Sequence, residues 1–189
     1  MKAEINISNA TIRDIEAIIK IVTNTLGNQY LTHAQINQYL ENINFYCHKA
    51  IINNEIVGFS LSRICRINDL KHNLLGNTDY LDDDEKLKEP ILFRETTAIK
   101  KEFQRKGIGT KLIQYGIDIA KNKAHTIFRV AWQQKDITPI STIIEKEGAK
   151  ILKQIPNYWY EDSLKRKYQC QVCGAPPCKC SAIIYIDYL

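Results

Sequence analysis

Two strand-like segments meet at Asn53-Asn54. Residues 45–52 and 55–64 read as strands, and an Asn-Asn pair between them suits the positive φ angles of a tight hairpin turn. That hairpin constrains the fold more than any other feature. The segments downstream of it alternate: a strand at 91–99, a helix at 108–121, a strand at 126–132, a helix at 138–147 closed by Gly148, a strand at 149–155 and a last strand at 181–188. Alternation alone would suggest a doubly wound parallel sheet. An antiparallel hairpin ahead of it excludes that and implies a mixed sheet. Upstream, residues 3–8 form a short strand. Thr11 and Asp14 open a helix whose apolar face is Ile15, Ile18, Ile19, Val22 and Leu26, and Gly27 ends it. A second helix covers residues 33–40. The expected class is α/β, with a mixed, mainly antiparallel sheet flanked by helices.

Composition agrees with a packed domain. Of 189 residues, 44% are apolar and 25% charged, so disorder of the whole chain is excluded. One domain over residues 1–189 is expected. The net charge of +5 suits an anionic ligand but does not by itself decide against nucleic acid. No apolar run approaches the ~18 residues of a membrane span, and no secretory signal is visible at the start. A reducing, cytoplasmic setting is therefore expected. Residues 66–90 lack periodicity and read as an insertion or loop. Their acidic run, Asp82-Asp83-Asp84-Glu85, reads as solvated surface in preference to a metal or partner site.

The stretch Gln104-Arg105-Lys106-Gly107-Ile108-Gly109-Thr110 lies between a strand and a helix. Glycine lets the backbone turn tightly and approach a ligand. The helix start beyond it carries unpaired amides and a partial positive charge, which together can cradle a pyrophosphate. It is neither a Rossmann fingerprint, lacking the third glycine, nor a P-loop, lacking Gly-Lys-Ser/Thr.

In this context Gln104-x-x-Gly107-x-Gly109 resembles the acyl-coenzyme A signature of the GNAT superfamily, the GCN5-related N-acetyltransferases. Residues 10–15, 55–59, 97–99 with Phe103, and 143–148 resemble further family segments, so the likeness covers about residues 3–160 and the final strand. The resemblance implies a GNAT-type sheet and acetyl-CoA as co-substrate. Its pyrophosphate would lie on Gln104, Arg105, Lys106, Gly107, Ile108, Gly109 and Thr110. Its pantetheine arm would pair with Thr97, Ala98 and Ile99, and the acyl carbonyl would sit where strands splay. An amine on a small molecule or peptide would attack the thioester directly. Amines are protonated at neutral pH, so a base must act first.

Glu95, nine residues before Gln104, occupies a position where many family members carry an acid. On a covered strand its pKa would rise, which suits a base; the bland alternative is a solvent-facing strand-end carboxylate. The family often places a tyrosine four residues before the glycine of its last helix as the thiolate's acid. Here that residue is Ile144, and the position after the glycine is Ala149, so the acid is unassigned. Tyr158 and Tyr160 are candidates, against a plainer role in aromatic packing; Tyr158 is carried forward. Trp132 packs against the pantetheine arm or the core. His33, His48, His72 and His125 form no pair at catalytic spacing, and family analogy places only His33 near the acceptor mouth.

Six cysteines are present, and four of them fall within eleven residues: Cys170, Cys173, Cys178 and Cys180. Cys170-x2-Cys173-Gly174 is a metal-type turn, and Cys178-x-Cys180 comes closely after it. Four thiolates can surround a tetrahedral ion, zinc or iron in preference to magnesium or calcium. A structural zinc in a Cys-rich loop over residues 168–181 is set against a metal-free loop and a redox pair. Lys165-Arg166-Lys167 reads as a solvated basic turn in preference to a phosphate contact. Two functions stand: an acyl-CoA-dependent N-acetyltransferase, and a catalytically weak acyl-CoA sensor or interaction module with a zinc-stapled loop. A membrane partner is not expected, nucleic acid is disfavoured, and a homodimer is left open.

Overall fold

The computed structural model describes residues 4–75, 78–81, 87–134, 138 and 140–189. The acidic run at 82–85 lies outside them. Seven strands form a sheet in the order β1-β2-β3-β4-β5-β7-β6. The strands are β1 (Asn6–Asn9), β2 (Phe45–Ile52), β3 (Glu55–Cys65), β4 (Ile91–Ile99), β5 (Thr126–Gln133), β6 (Lys150–Ile155) and β7 (Ser181–Tyr188). The helices are α1 (Ile15–Thr25), α2 (His33–Glu41), α3 (Ile67–Asn73), α4 (Ile108–Ala120), α5 (Ser141–Lys146) and α6 (Tyr160–Arg166). The hairpin forms as expected: β2 and β3 pair antiparallel, with φ of 49° at Asn53 and 64° at Asn54. β4 and β5 pair in parallel, from Ile91 with Thr126 to Arg94 with Arg129. The ladder stops there, although β4 continues to Ile99. The pairs β1–β2, β5–β7 and β6–β7 are antiparallel.

The chain separates into two compact units, Met1–Arg63 with Glu95–Ile119, and Ile64–Arg94 with Ala120–Leu189. In the first, Ile18, Ile21 and Val22 of α1 and Ile36 of α2 pack with Phe59 and Leu61 of β3. Each such side chain, fully withdrawn from water, contributes about 1.5–3 kcal/mol. Ile108 and Leu112 of α4 pack separately, with Ala50, Ile52 and Val57. Thr11 and Asp14 form the expected capping box, but they cap a short 3-10 turn that leads into α1. Lys49 pairs with Asp14 at 2.6 Å.

In the second unit, Ala131, Ile144, Ile183 and Tyr185 form one cluster. Buried Arg129 is neutralised by Glu147 at 2.9 Å and Asp187 at 3.9 Å. The expectation that residues 66–90 carry no regular structure is corrected: α3 lies inside them. Its Leu70, together with Leu74 and Leu81 beyond it, is buried, so three leucines anchor a largely polar segment. α6 was not expected either. It is about two mostly polar turns, held by an Asp162–Arg166 pair at 3.1 Å and ended by Lys167 at φ 57°. Lys165, Arg166 and Lys167 are therefore a helix C-terminus rather than a basic turn, and Arg166 also lies 5.1 Å over the Tyr168 ring. No helix among the described residues is long and apolar enough to cross a membrane.

Candidate active site and cysteine cluster

The glycine turn connects β4 to α4 through a short 3-10 turn at Lys101–Phe103. The Gln104 side-chain amide donates to the Ile99 carbonyl at 3.0 Å, tying the turn to the end of β4. Arg105 (φ 58°) and Gly107 (φ 80°) both take left-handed backbone. Such turns direct successive N–H groups into a concavity suited to anions. Among the described residues, no acceptor takes the amides of residues 105–110. Ile108, only 1% exposed, fixes the helix start beneath them. Arg105 and Lys106 are exposed, and the Lys106 ammonium lies 5.1 Å over the Phe103 ring. The arrangement offers unpaired donors, the positive end of a 13-residue helix and two full charges in one place.

Glu95 is on β4, two residues before Thr97. Its Oε1 lies 2.6 Å from Arg63 Nε on β3, and the Tyr39 hydroxyl of α2 donates to its carboxylate. Arg63 is in turn seated 5.3 Å over the Phe45 ring. Burial pushes the Glu95 carboxyl above its ordinary pKa, and Arg63 and then Tyr39 offset part of the rise. Burial beside the same carboxylate pushes the Tyr39 phenol up as well. Sequence reading found Glu95 but not Arg63 or Tyr39. The available signal was an arginine, the one cation of an 11-residue strand, near its end.

Glu95, residues 97–99 and the turn belong to the first unit. Tyr158 and the four cysteines belong to the second. Tyr158 is buried, its ring edge-on to Trp159 at 4.9 Å, and its hydroxyl oxygen accepts the Leu75 amide at 3.0 Å. Ile144 is a core residue, 2% exposed. His33 is exposed and paired with Glu16 at 2.7 Å. Trp132 pairs with Ala182 across β5 and β7, and its side chain hydrogen-bonds the Cys180 sulfur.

Cys170, Cys173, Cys178 and Cys180 come together, all four sulfurs within 4.8 Å of one another and none in a disulfide. The Cys170–Cys180 and Cys173–Cys180 sulfurs are 3.9 and 3.5 Å apart. Val172 N–H donates to Cys170 Sγ at 3.4 Å, and Lys179 N–H donates to Cys173 Sγ at 3.3 Å. Sulfur hydrogen bonds from Cys178 and Cys180 push the Cys170 thiol down.

Comparison with known proteins identifies the fold. Residues 15–137 match the profile of the acetyltransferase (GNAT) family, and the chain belongs to that family. No curated protein matches the sequence significantly. Among solved structures, Ard1 from Thermoplasma volcanium is similar with a TM-score of 0.66 at 16% identity, covering 98% of this chain and 97% of its own. The ribosomal-protein-S18-alanine N-acetyltransferase from Escherichia coli gives 0.65 at 13%, covering 98% and 94%. NAA60 from Arabidopsis thaliana, in complex with acetyl-CoA, gives 0.69 at 10%, covering 98% and 99%. At these identities the likeness is one of fold.

Proposed function

We propose that this protein is an acetyl-CoA-dependent N-acetyltransferase acting on an amine, with the α-amine of a peptide or protein as the leading acceptor class. The observation that carries the reading is the row of unpaired amides at residues 105–110, set on the α4 N-terminus beside Arg105 and Lys106. That donor set fits a pyrophosphate. The peptide preference rests on the solved relatives, one of which bears the name of a ribosomal-protein alanine N-acetyltransferase.

When bound, acetyl-CoA supplies an activated acetyl thioester. Residues 105–110 hold its pyrophosphate, and Thr97, Ala98 and Ile99 align its pantetheine arm beyond the point where the β4–β5 ladder stops. Glu95 takes a proton from the acceptor ammonium, directly or through water, and its raised pKa makes it a better base at neutral pH. Arg63 and Tyr39 fix the position of that carboxylate. The amine nitrogen bonds to the thioester carbon, the C–S bond breaks, the sulfur leaves as thiolate, and the nitrogen releases its second proton to solvent to give the neutral amide. Tyr158 is the candidate, read from the sequence alone, for the donor that protonates it. A zinc ion held by four protein thiolates would leave no open position, so the transfer is assigned to side chains alone. A reducing, cytoplasmic setting is part of this proposal, since clustered thiols there more often bind metal than pair.

Ile144, buried where the family often carries a tyrosine, favours a second reading: an acyl-CoA sensor with slow chemistry. Thiol release from acetyl-CoA in the presence of peptide α-amines, free amino acids and polyamines separates the two. Acceptor-dependent release supports the enzyme, with peptides best. Tight CoA binding with no release across the panel supports the sensor.

A further inference from the structure

We propose that Cys170, Cys173, Cys178 and Cys180 hold a single zinc ion as a closed structural site, which fastens α6 and the segment after α3 to the end of β7. Two of the separations are close to the edge of a tetrahedron. Zinc–sulfur bonds of about 2.3 Å place sulfur atoms about 3.8 Å apart, and the measured separations are 3.5 and 3.9 Å with no pair beyond 4.8 Å. A disulfide would need about 2.05 Å, and none is formed.

The backbone is shaped for thiolates. Cys170 and Gly174 exchange two hydrogen bonds, 2.9 and 2.8 Å, closing a tight loop around Cys173. Gly174 takes φ 77°, which a side chain would strain. The amides of Val172 and Lys179 point at sulfur rather than oxygen, the arrangement that stabilises a metal-bound thiolate. Four thiolates on a divalent ion carry two net negative charges, and Lys165, Arg166, Lys167 and Lys179 flank them in the sequence. An all-sulfur donor set favours zinc or iron over magnesium or calcium.

The loop has little else to hold it, since residues 171–175 are exposed. Its own contacts are specific. The Cys178 amide donates to Ser163 Oγ at 2.8 Å, and that hydroxyl donates to the Tyr160 carbonyl at 2.8 Å, both within α6. The Cys180 carbonyl accepts the Tyr158 amide at 3.1 Å, and the Tyr158 hydroxyl accepts the Leu75 amide. Loss of the ion therefore loosens α6 and the residues after α3 together.

The test is elemental analysis of full-length protein purified without chelator, with cobalt substitution and hydrogen exchange as second readouts. The expected result is one zinc per chain and, on replacement, the visible absorption of tetrahedral cobalt thiolate. Cys173→Ser alters the most exposed ligand and should lose the metal while the chain stays folded. Chelation should raise exchange at residues 72–75 and 158–180. Iron in place of zinc overturns the assignment of the metal. Protein with well under one equivalent of any metal, and no cobalt–thiolate absorption, overturns the site itself.

Discussion

Two backbone devices in this molecule use amide hydrogens in opposite ways. In the turn at residues 105–110 the amides find no acceptor among the described residues, and Arg105 and Lys106 are exposed and basic. In the loop at residues 168–181 two amides are spent on the protein's own sulfurs, and three of the four cysteines are buried. The first device is open, its donors free for a ligand from outside. The second is closed, with every coordinating position filled from within. The contrast shows why one site is assigned to chemistry and the other to architecture, although both depend on a glycine with positive φ.

The sharpest way to break the comparison is to open the closed site. Cys170→Ser should remove zinc altogether. Structural zinc is worth on the order of 10 kcal/mol. At about 2–4 °C per kcal/mol for a chain of this size, losing even ~3 kcal/mol lowers Tm by roughly 6–12 °C. Acetyl-CoA affinity, measured by calorimetry below that Tm, should be retained. A variant that keeps its Tm but loses acetyl-CoA binding would reverse the assignment of the two regions.

Glu95→Gln comes next. A general base contributes about 10²–10⁴ in rate, so kcat at pH 7 should fall by roughly 100-fold or more. The wild-type rate should decline as pH drops through the raised Glu95 pKa, and the variant should lack that limb. The stability effect has the opposite sign. A raised pKa means the fold favours the protonated carboxyl, so the charged form costs stability at neutral pH. The variant should therefore match or exceed the wild-type Tm at pH 7. Its advantage should shrink as pH falls through the raised pKa toward the ordinary carboxylate value. An unchanged rate across pH would remove Glu95 from the mechanism.

Gly107→Val probes the open device at smaller scale. No atom lies within 4 Å of the position a Cβ would take, so nothing clashes. The penalty is conformational, about 1–2 kcal/mol for a side chain held at left-handed φ. The turn should relax, KM for acetyl-CoA should rise by about 5–30-fold, and kcat should change little. A fall in kcat with KM constant would place the turn's role in the chemistry instead of in binding.

Legibility from sequence followed the range of the interactions. The hairpin, β4 and α4 were readable because Asn53-Asn54, an apolar strand and Gly107 are local signals. α3 and α6 were not, because each is seven residues long with a mostly polar surface, and α3 is secured by leucines whose burial is tertiary. The same limit hid part of the site. Glu95 could be found beside the turn, but its partners are 32 and 56 positions away, at Arg63 and Tyr39, and only sheet pairing and helix packing bring them to it. The cysteines escaped this limit because four ligands of one rare type fall in a single short loop.

Tyr158→Phe carries the smallest expected effect and tests whether the closed region also contributes to the chemistry. The hydroxyl oxygen accepts the Leu75 amide, and a net hydrogen bond is worth about 0.5–1.5 kcal/mol. Tm should therefore fall by about 1–6 °C. A thiol has a pKa of about 8.5, so thiolate leaves readily without help. Loss of its proton donor should lower kcat by no more than about tenfold, mainly on the acidic side of the thiol's pKa. The pH profile separates the roles. A uniform small loss at every pH marks Tyr158 as a positioning residue between the metal loop and Leu75. A loss confined to one limb marks it as the thiolate's acid.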